Sequence, residues 1–460
     1  MNRLSNADFD NQLIERLACI TPPDDEMLRI NPWTEPINTI TWGLIFSTLH
    51  LNFLYLQYIL PTIGILFVYL GFRSLRHINQ WFRIAWIISI VQMVLQLVYL
   101  ANISLPVSDP EQNLVIAMAI SSSFYLALFL VFRKAIKEVF LAAKDKPNRD
   151  PLLWASLWVV LVSICAIPPL STNIMIVVPL LVFYFLILRS LFRLGADLAN
   201  VGYCLINSPV KTSKHWIGIG YLLFCLLLVV GCSIYANHIT LDATRYPMAK
   251  TTEAVSTLSA LGAPASCLAI LSAENLSLLE ETTQVEVDKS DLNFPTSAGP
   301  NLSGLNATTV FFRQPNNDLY IIVFFQRKKG SAVWNDGFYI SSPEAFTLLE
   351  GSLIYEKDGI RYHAPIPRLY SGWISVTDFF GVSDVKGITG GVSYPFNTEK
   401  QQGYVLYYQS AEVSEYAWSG FNYSHYFTPI RLPYRTPEQM LIDGVGNSAN
   451  HYADCMPPVK

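Results

Sequence analysis

Aromatic and acidic side chains gather near the C-terminus, and they are the first candidates for chemistry. Tyr416, Trp418, Phe421, Tyr423, Tyr426 and Phe427 lie within one short stretch, and Phe421, Tyr423, His425 and Phe427 alternate along it. A strand would set those four on one face. Such a face can stack a saccharide or peptide ligand, although an aromatic stripe more commonly fills the core between two sheets. Tyr416, Trp418, Phe421 and Tyr423 are the candidate ligand contacts. Just upstream, Glu412 and Glu415, with Asp378 and Asp384 farther away, offer the carboxylate pair of a glycosidase. That chemistry needs two carboxyls about 5 to 9.5 Å apart. No motif fixes this separation, so an extracytoplasmic hydrolase stays an alternative, and solvated surface carboxylates are the ordinary reading.

Seven cysteines, at positions 19, 165, 204, 225, 232, 267 and 455, show no C-x-x-C spacing. Neither a zinc site nor a redox pair is suggested. His363, His425 and His451 share no ligand spacing, and no metal or cofactor is expected. Cys165, Cys225 and Cys232 lie in apolar blocks and read as packing residues. Cys267 and Cys455 are candidates for one disulfide if their half lies outside the cytoplasm, which requires Cα atoms ~4.4 to 6.8 Å apart.

The elements that must position these residues divide the chain in two. Overall, 52 % of residues are hydrophobic and 14 % charged, with a net charge of -4. The low charge points away from water-soluble proteins, and the acidic balance gives no reason to expect nucleic acid as a partner. The apolar residues concentrate between Ile40 and Tyr235, in blocks of about the 20 residues that a bilayer core requires. Clear spans run from Ile84 to Ala101, Leu114 to Phe132, Leu152 to Ile167, Ile174 to Phe192 and Trp216 to Tyr235, with Leu152 to Ile167 the most marginal. The block Ile40 to Phe72 is broken at Asn52 and Pro61 and reads as a helix to about His50 and another from Pro61, a hairpin or one kinked span. Six or seven spans are therefore expected. Trp42, Trp81, Trp154, Trp158 and Trp216 fall near span ends, as interfacial anchors do.

Sidedness follows from the basic residues. Arg73, Arg76 and Arg83 follow the first block; Arg133, Lys134, Lys137, Lys144, Lys146 and Arg149 separate the third and fourth; Arg189, Arg193, Lys211 and Lys214 flank the fifth and sixth. The loops Asn102 to Asn113 and Pro168 to Asn173 have none. Since cytoplasmic loops retain Lys and Arg, the C-terminal half is expected outside the cytoplasm. From Ile84 onward the spans contain no Asp, Glu, Lys or His. That weighs against a proton-coupled pump. Ser89, Gln92 and Gln96 share one helix face, which could line a polar path for a transport component; interhelical hydrogen bonding is the commoner use.

The expected domains are a polar segment 1-39, a transmembrane domain 40-236, a short helical region and linker 237-304, and an extracytoplasmic β-rich domain 305-460. Helical pattern runs from Thr251 to about Glu281, with Ser272 as an N-cap. The stretch Asp288 to Gly304, rich in Ser, Asn, Pro and Gly, reads as loop or linker. Thereafter the period becomes two, and Asp358-Gly359 is a strong hairpin signal. Some eight to ten strands suggest an antiparallel β-sandwich or jelly-roll-like module. If the host were eukaryotic, the sequons at Asn275, Asn301, Asn306 and Asn422 would be glycosylation sites. The leading expectation is a bacterial cell-membrane protein, embedded in the lipid bilayer, whose outer domain senses or binds a saccharide or peptide ligand or other envelope proteins.

Overall fold

A computed structural model describes residues 33–48, 51, 53–106, 110–144, 149–165, 174–200, 213–246, 253–293, 304–328, 335–342, 346–378, 381–411, 417–425, 430–442 and 448–455. They fall into two compact units, one reaching to Leu228 and the other running from Val229, with Ile103–Pro106 grouped in the second.

The first unit is helical: α1 (Thr34–Thr48), α2 (Leu56–Leu75), α3 (Gln80–Ser104), α4 (Pro110–Ala142), α5 (Pro151–Cys165), α6 (Ile174–Asn200) and α7 (Lys214–Asn237), of which α3 and α7 end in residues grouped with the second unit. Among the described residues, 5 helices are long and apolar enough to cross a membrane, namely α2, α3, α4, α6 and α7. The marginal span expected from Leu152 is the 15-residue α5. Val94, Val98, Leu181, Phe185, Phe224 and Leu227 point outward and are exposed, the reverse of a water-soluble bundle.

The first apolar block is a hairpin of two helices, and glycine is what allows it. A Cβ on Gly43 would stand 2.7 Å from the Gly64 carbonyl oxygen, and one on Gly71 would meet Ile40 and the Pro36 carbonyl. Bare backbones therefore touch along α1 and α2, as small residues permit in membrane bundles. Pro61 lies inside α2 rather than at its start. It forfeits one hydrogen bond, to the Gln57 carbonyl, which a helix otherwise held by its neighbour tolerates.

The basic stretch after Phe132 is helical to Ala142, and three of its charges are locally answered. Asp150 takes Arg133 at 2.7 Å and Lys137 at 3.7 Å, while Lys134 lies 3.6 Å from the centre of the Trp81 ring.

The second unit carries β1 (Thr244–Arg245), α8 (Glu253–Ala260), α9 (Ala265–Leu268), α10 (Ala273–Leu278), β2 (Gln284–Asn293), β3 (Gly304–Arg313), β4 (Leu319–Arg327), β5 (Asp336–Ser341), β6 (Thr347–Lys357), β7 (Ile360–Pro365), β8 (Tyr370–Asp378), β9 (Gly381–Val392), β10 (Glu399–Gln409), β11 (Ala417–Ser424), α11 (Pro437–Ile442) and β12 (Ser448–Cys455). These strands make a 7-stranded sheet ordered β1-β7-β6-β10-β4-β3-β2 and a 5-stranded sheet ordered β12-β11-β5-β9-β8. The two share a core in which Phe325 of β4 stacks on Phe421 of β11 at 5.8 Å between ring centres. The opposite face of the larger sheet carries Val310, Phe312, Ile322 and Leu406 against Leu258, Leu268 and Leu276 of the three short helices. β4 is thus buried on both faces, which is why it reads as an unbroken apolar run.

Local rules hold where they were specific. Asp358 and Gly359 adopt φ of 53° and 75°, the two positive values that the β6–β7 turn requires. Ser272 caps α10, accepting from the Asn275 amide at 3.1 Å. The linker expected from Asp288 is instead strand up to Asn293, because β2 pairs with β3 from Gln284↔Arg313 to Asn293↔Gly304. As an edge strand with charged residues between its apolar ones, β2 shows little apolar alternation, and tertiary pairing decides its state.

Candidate functional site

Strand register sets polar side chains in rows on the helix-facing side of the larger sheet. Asp291 stands opposite Asn306, Asn306 opposite Gln326, and Gln326 opposite Gln402. The next row on that face is Lys289, Thr308, Phe324 and Tyr404. Beyond it come Val287, Val310, Ile322 and Leu406, which the short helices cover. Where the cover ends, the polar rows floor a cleft of about 230 Å³ walled by Pro264, Ser266, Cys267 and Ile270.

Charge in this cleft is uneven. Asp291 is paired with Lys328 at 2.9 Å, whereas Lys289 makes no ion pair among the described residues. The side-chain amides of Asn306, Gln326 and Gln402 likewise have no protein partner there. Burial pushes the Cys267 thiol up to about 11, against smaller downward pulls from the Ser266 hydroxyl and the Lys289 charge. It is a weak nucleophile at neutral pH. The cleft can therefore hold a ligand but has no activated group at this thiol.

A second cluster sits inside the two-sheet core. Asp336 is fully buried, accepts from the Tyr423 hydroxyl at 2.9 Å, and stands 2.8 Å from His425 Nδ1 and 3.5 Å from the Arg327 guanidinium. Burial, with the Asp336 charge next, drives the Tyr423 phenol well above its ordinary range, and Arg327 only partly offsets this. A carboxylate orienting an imidazole through Nδ1 is an arrangement enzymes use. Here the His425 side chain is 11 % exposed and Arg327 4 %, so the cluster works as an internal tie between β4, β5 and the end of β11. Sequence reading did not find it, since His425 and Asp336 are 89 positions apart.

Two members of the aromatic stripe take the commoner of its two roles, as core. Phe421 and Tyr423 are 0 % exposed and point into the core, where Phe421 packs on Phe325 and Phe338. Alternation had placed them on one face, and that face meets the other sheet rather than solvent. Trp418 lies half-buried on the opposite face. Tyr416, Tyr426, Phe427, Glu412 and Glu415 lie outside the described residues, as does the side chain of Asp378. Asp384 is exposed and accepts from Ser375 at 2.6 Å.

Cys267 and Cys455 are not bridged. Cys267 packs on the helix side of the larger sheet, while Cys455 lies in the two-sheet core and takes a hydrogen bond from Arg313 at 3.2 Å. The sheet itself separates them. Asn275 donates to Glu350 and Tyr404, and Asn422 is buried, so neither presents a free amide for glycosylation; Asn306 is exposed at the cleft.

Ser89, Gln92 and Gln96 do share one buried face of α3, with Phe82, Ala85 and Leu100. Gln96 donates to the Thr62 hydroxyl of α2 at 3.0 Å, and Ser89 to its own helix at Trp86. These are interhelical and intrahelical bonds of the kind that hold membrane bundles together. Comparison with known protein families and with curated proteins finds no match for this chain.

Proposed function

We propose that the chain is a multi-pass cell-membrane protein whose C-terminal, β-rich half lies outside the cytoplasm and senses or binds a ligand of the envelope. On this reading the two facing sheets are a β-sandwich with a helical cover, and the apolar helices anchor it and relay its state. One contrast carries the proposal. Among the described residues, every buried charged side chain belongs to the β-rich unit (Arg313, Arg327, Asp336, Arg431 and Glu438), while the helical unit buries only neutral polar groups such as Thr62, Gln92 and Gln96. Charge inside a bilayer is costly and marks transport paths, so the functional weight falls on the outer unit and its cleft. The outside placement rests on the basic residues flanking the spans on one side and missing from the loops opposite.

The test is proteolysis of intact cells or spheroplasts, followed by detection of fragments. Cleavage within residues 237–460 before lysis supports the placement; protection until lysis overturns it.

A further inference from the structure

We infer that the cleft beside α9 binds a single-ring sugar acid, a ligand with one carboxylate and several hydroxyls. The inference rests on the reading of the β-rich half as a ligand-binding unit and names what that unit takes. The cleft, at about 230 Å³, falls below the ~300 Å³ at which pockets for drug-sized molecules begin, which limits the ligand to about one ring.

The floor says what that ring carries. Asn306, Gln326 and Gln402 stand on three neighbouring strands, so their amides repeat at the ~4.8 Å strand spacing. Each amide offers a donor and an acceptor, which suits hydroxyls on opposite sides of one ring. Phe324 lies in the adjacent row and, though only 5 % exposed, closes the apolar side of the cleft with its rim.

Charge sets the remaining group. The carboxylate of Asp291 is already answered by Lys328 at 2.9 Å. Lys289 points to the same cleft two residues along, beside Cys267, with no ion pair among the described residues. The cleft therefore has one uncompensated cation at the end where the amides stop. Lys289, Asn306 and Gln326 are exposed and meet water in the cleft; a sugar acid can replace that water at both the cation and the amide row, whereas a neutral sugar or a small inorganic anion can do so at only one of them.

The experiment uses the full-length protein in lipid nanodiscs and titrates glucuronate, glucose and acetate by calorimetry. Glucuronate should bind about tenfold or more tightly than either of the others, since one charge-assisted contact is worth roughly that factor. Lys289→Met should abolish the preference for glucuronate over glucose, and Gln326→Leu with Gln402→Leu should weaken glucuronate binding about tenfold. Both changes lie on the cleft surface, and an unchanged melting temperature shows the fold is intact. Equal binding of glucose overturns the role of Lys289; equal binding of acetate overturns the role of the amide row. No binding by any of the three overturns the site, as does binding indifferent to these substitutions. Because sidedness is read separately by proteolysis, a cleft that binds nothing in a domain cleaved outside the cell sinks this inference while leaving the topology standing.

Discussion

Replacing Asp336 by Asn puts the buried ion cluster under direct test. The side chain is fully buried and serves Tyr423, His425 and Arg327 together. Asparagine keeps the shape but removes the negative charge, so the Arg327 guanidinium, 4 % exposed, stays in the core without its carboxylate. Breaking a buried pair from one side costs about 3 to 5 kcal/mol, because the remaining charge pays its desolvation alone. Against a total stability of about 5 to 15 kcal/mol for a domain, that is a large share. Removing the cation as well, with Asp336→Asn and Arg327→Met together, should recover most of the loss. Denaturant unfolding of the detergent-solubilised protein, followed by near-ultraviolet circular dichroism, measures both variants. A cost below about 1 kcal/mol for Asp336→Asn, or a double variant no more stable than the single, would refute the reasoning.

Three other outcomes follow. The phenols of Tyr394, Tyr404, Tyr407 and Tyr423 are all pushed up, chiefly by burial. Unfolding exposes them to ionise near pH 10, so it releases protons, and stability is untouched below that pH and falls above it. At pH 11 the four remove about 5 kcal/mol together; a final fraction of the phenolate absorbance, beyond that of exposed tyrosines such as Tyr370 and Tyr452, should therefore appear only with loss of sheet signal, and complete ionisation of an intact sheet would contradict the burial. In a variant with Cys267 as the sole cysteine, alkylation should keep accelerating up to pH of about 11; a plateau near the ordinary ~8.5 would show an unperturbed thiol. Gly64→Leu should lower the melting temperature markedly, because the new Cβ meets the Ser47 and Gly43 backbones, whereas Gly220→Leu, with nothing within 4 Å, should not; equal melting would remove the close approach of α1 and α2.

Much of the architecture was legible because it depends on local rules. Span length, the Asp358-Gly359 turn and the Ser272 cap each follow from a few neighbouring residues. What was lost depends on partners far along the chain. Alternation gives Phe421 and Tyr423 a common face, but only the second sheet decides that the face is core. β2 becomes strand through β3, and Cys267 and Cys455 are kept apart by a sheet that neither residue helps to form. The candidate cleft was invisible for the same reason: its rows combine one residue from each of four strands, with no spacing to betray them.

The double-sided burial of β4 also matters while the chain is being made. Leu319, Ile321, Ile322, Val323, Phe324 and Phe325 form an apolar, β-prone and uncharged segment, the composition of aggregation-prone strands. One neighbour, β3, is already synthesised when β4 emerges, but the other, β10, begins only at Glu399. Until then one long edge of β4 stays open while the chain between them is still being delivered. Misassembly at that open edge should therefore show as insoluble full-length chain rather than as loss of the apolar helices.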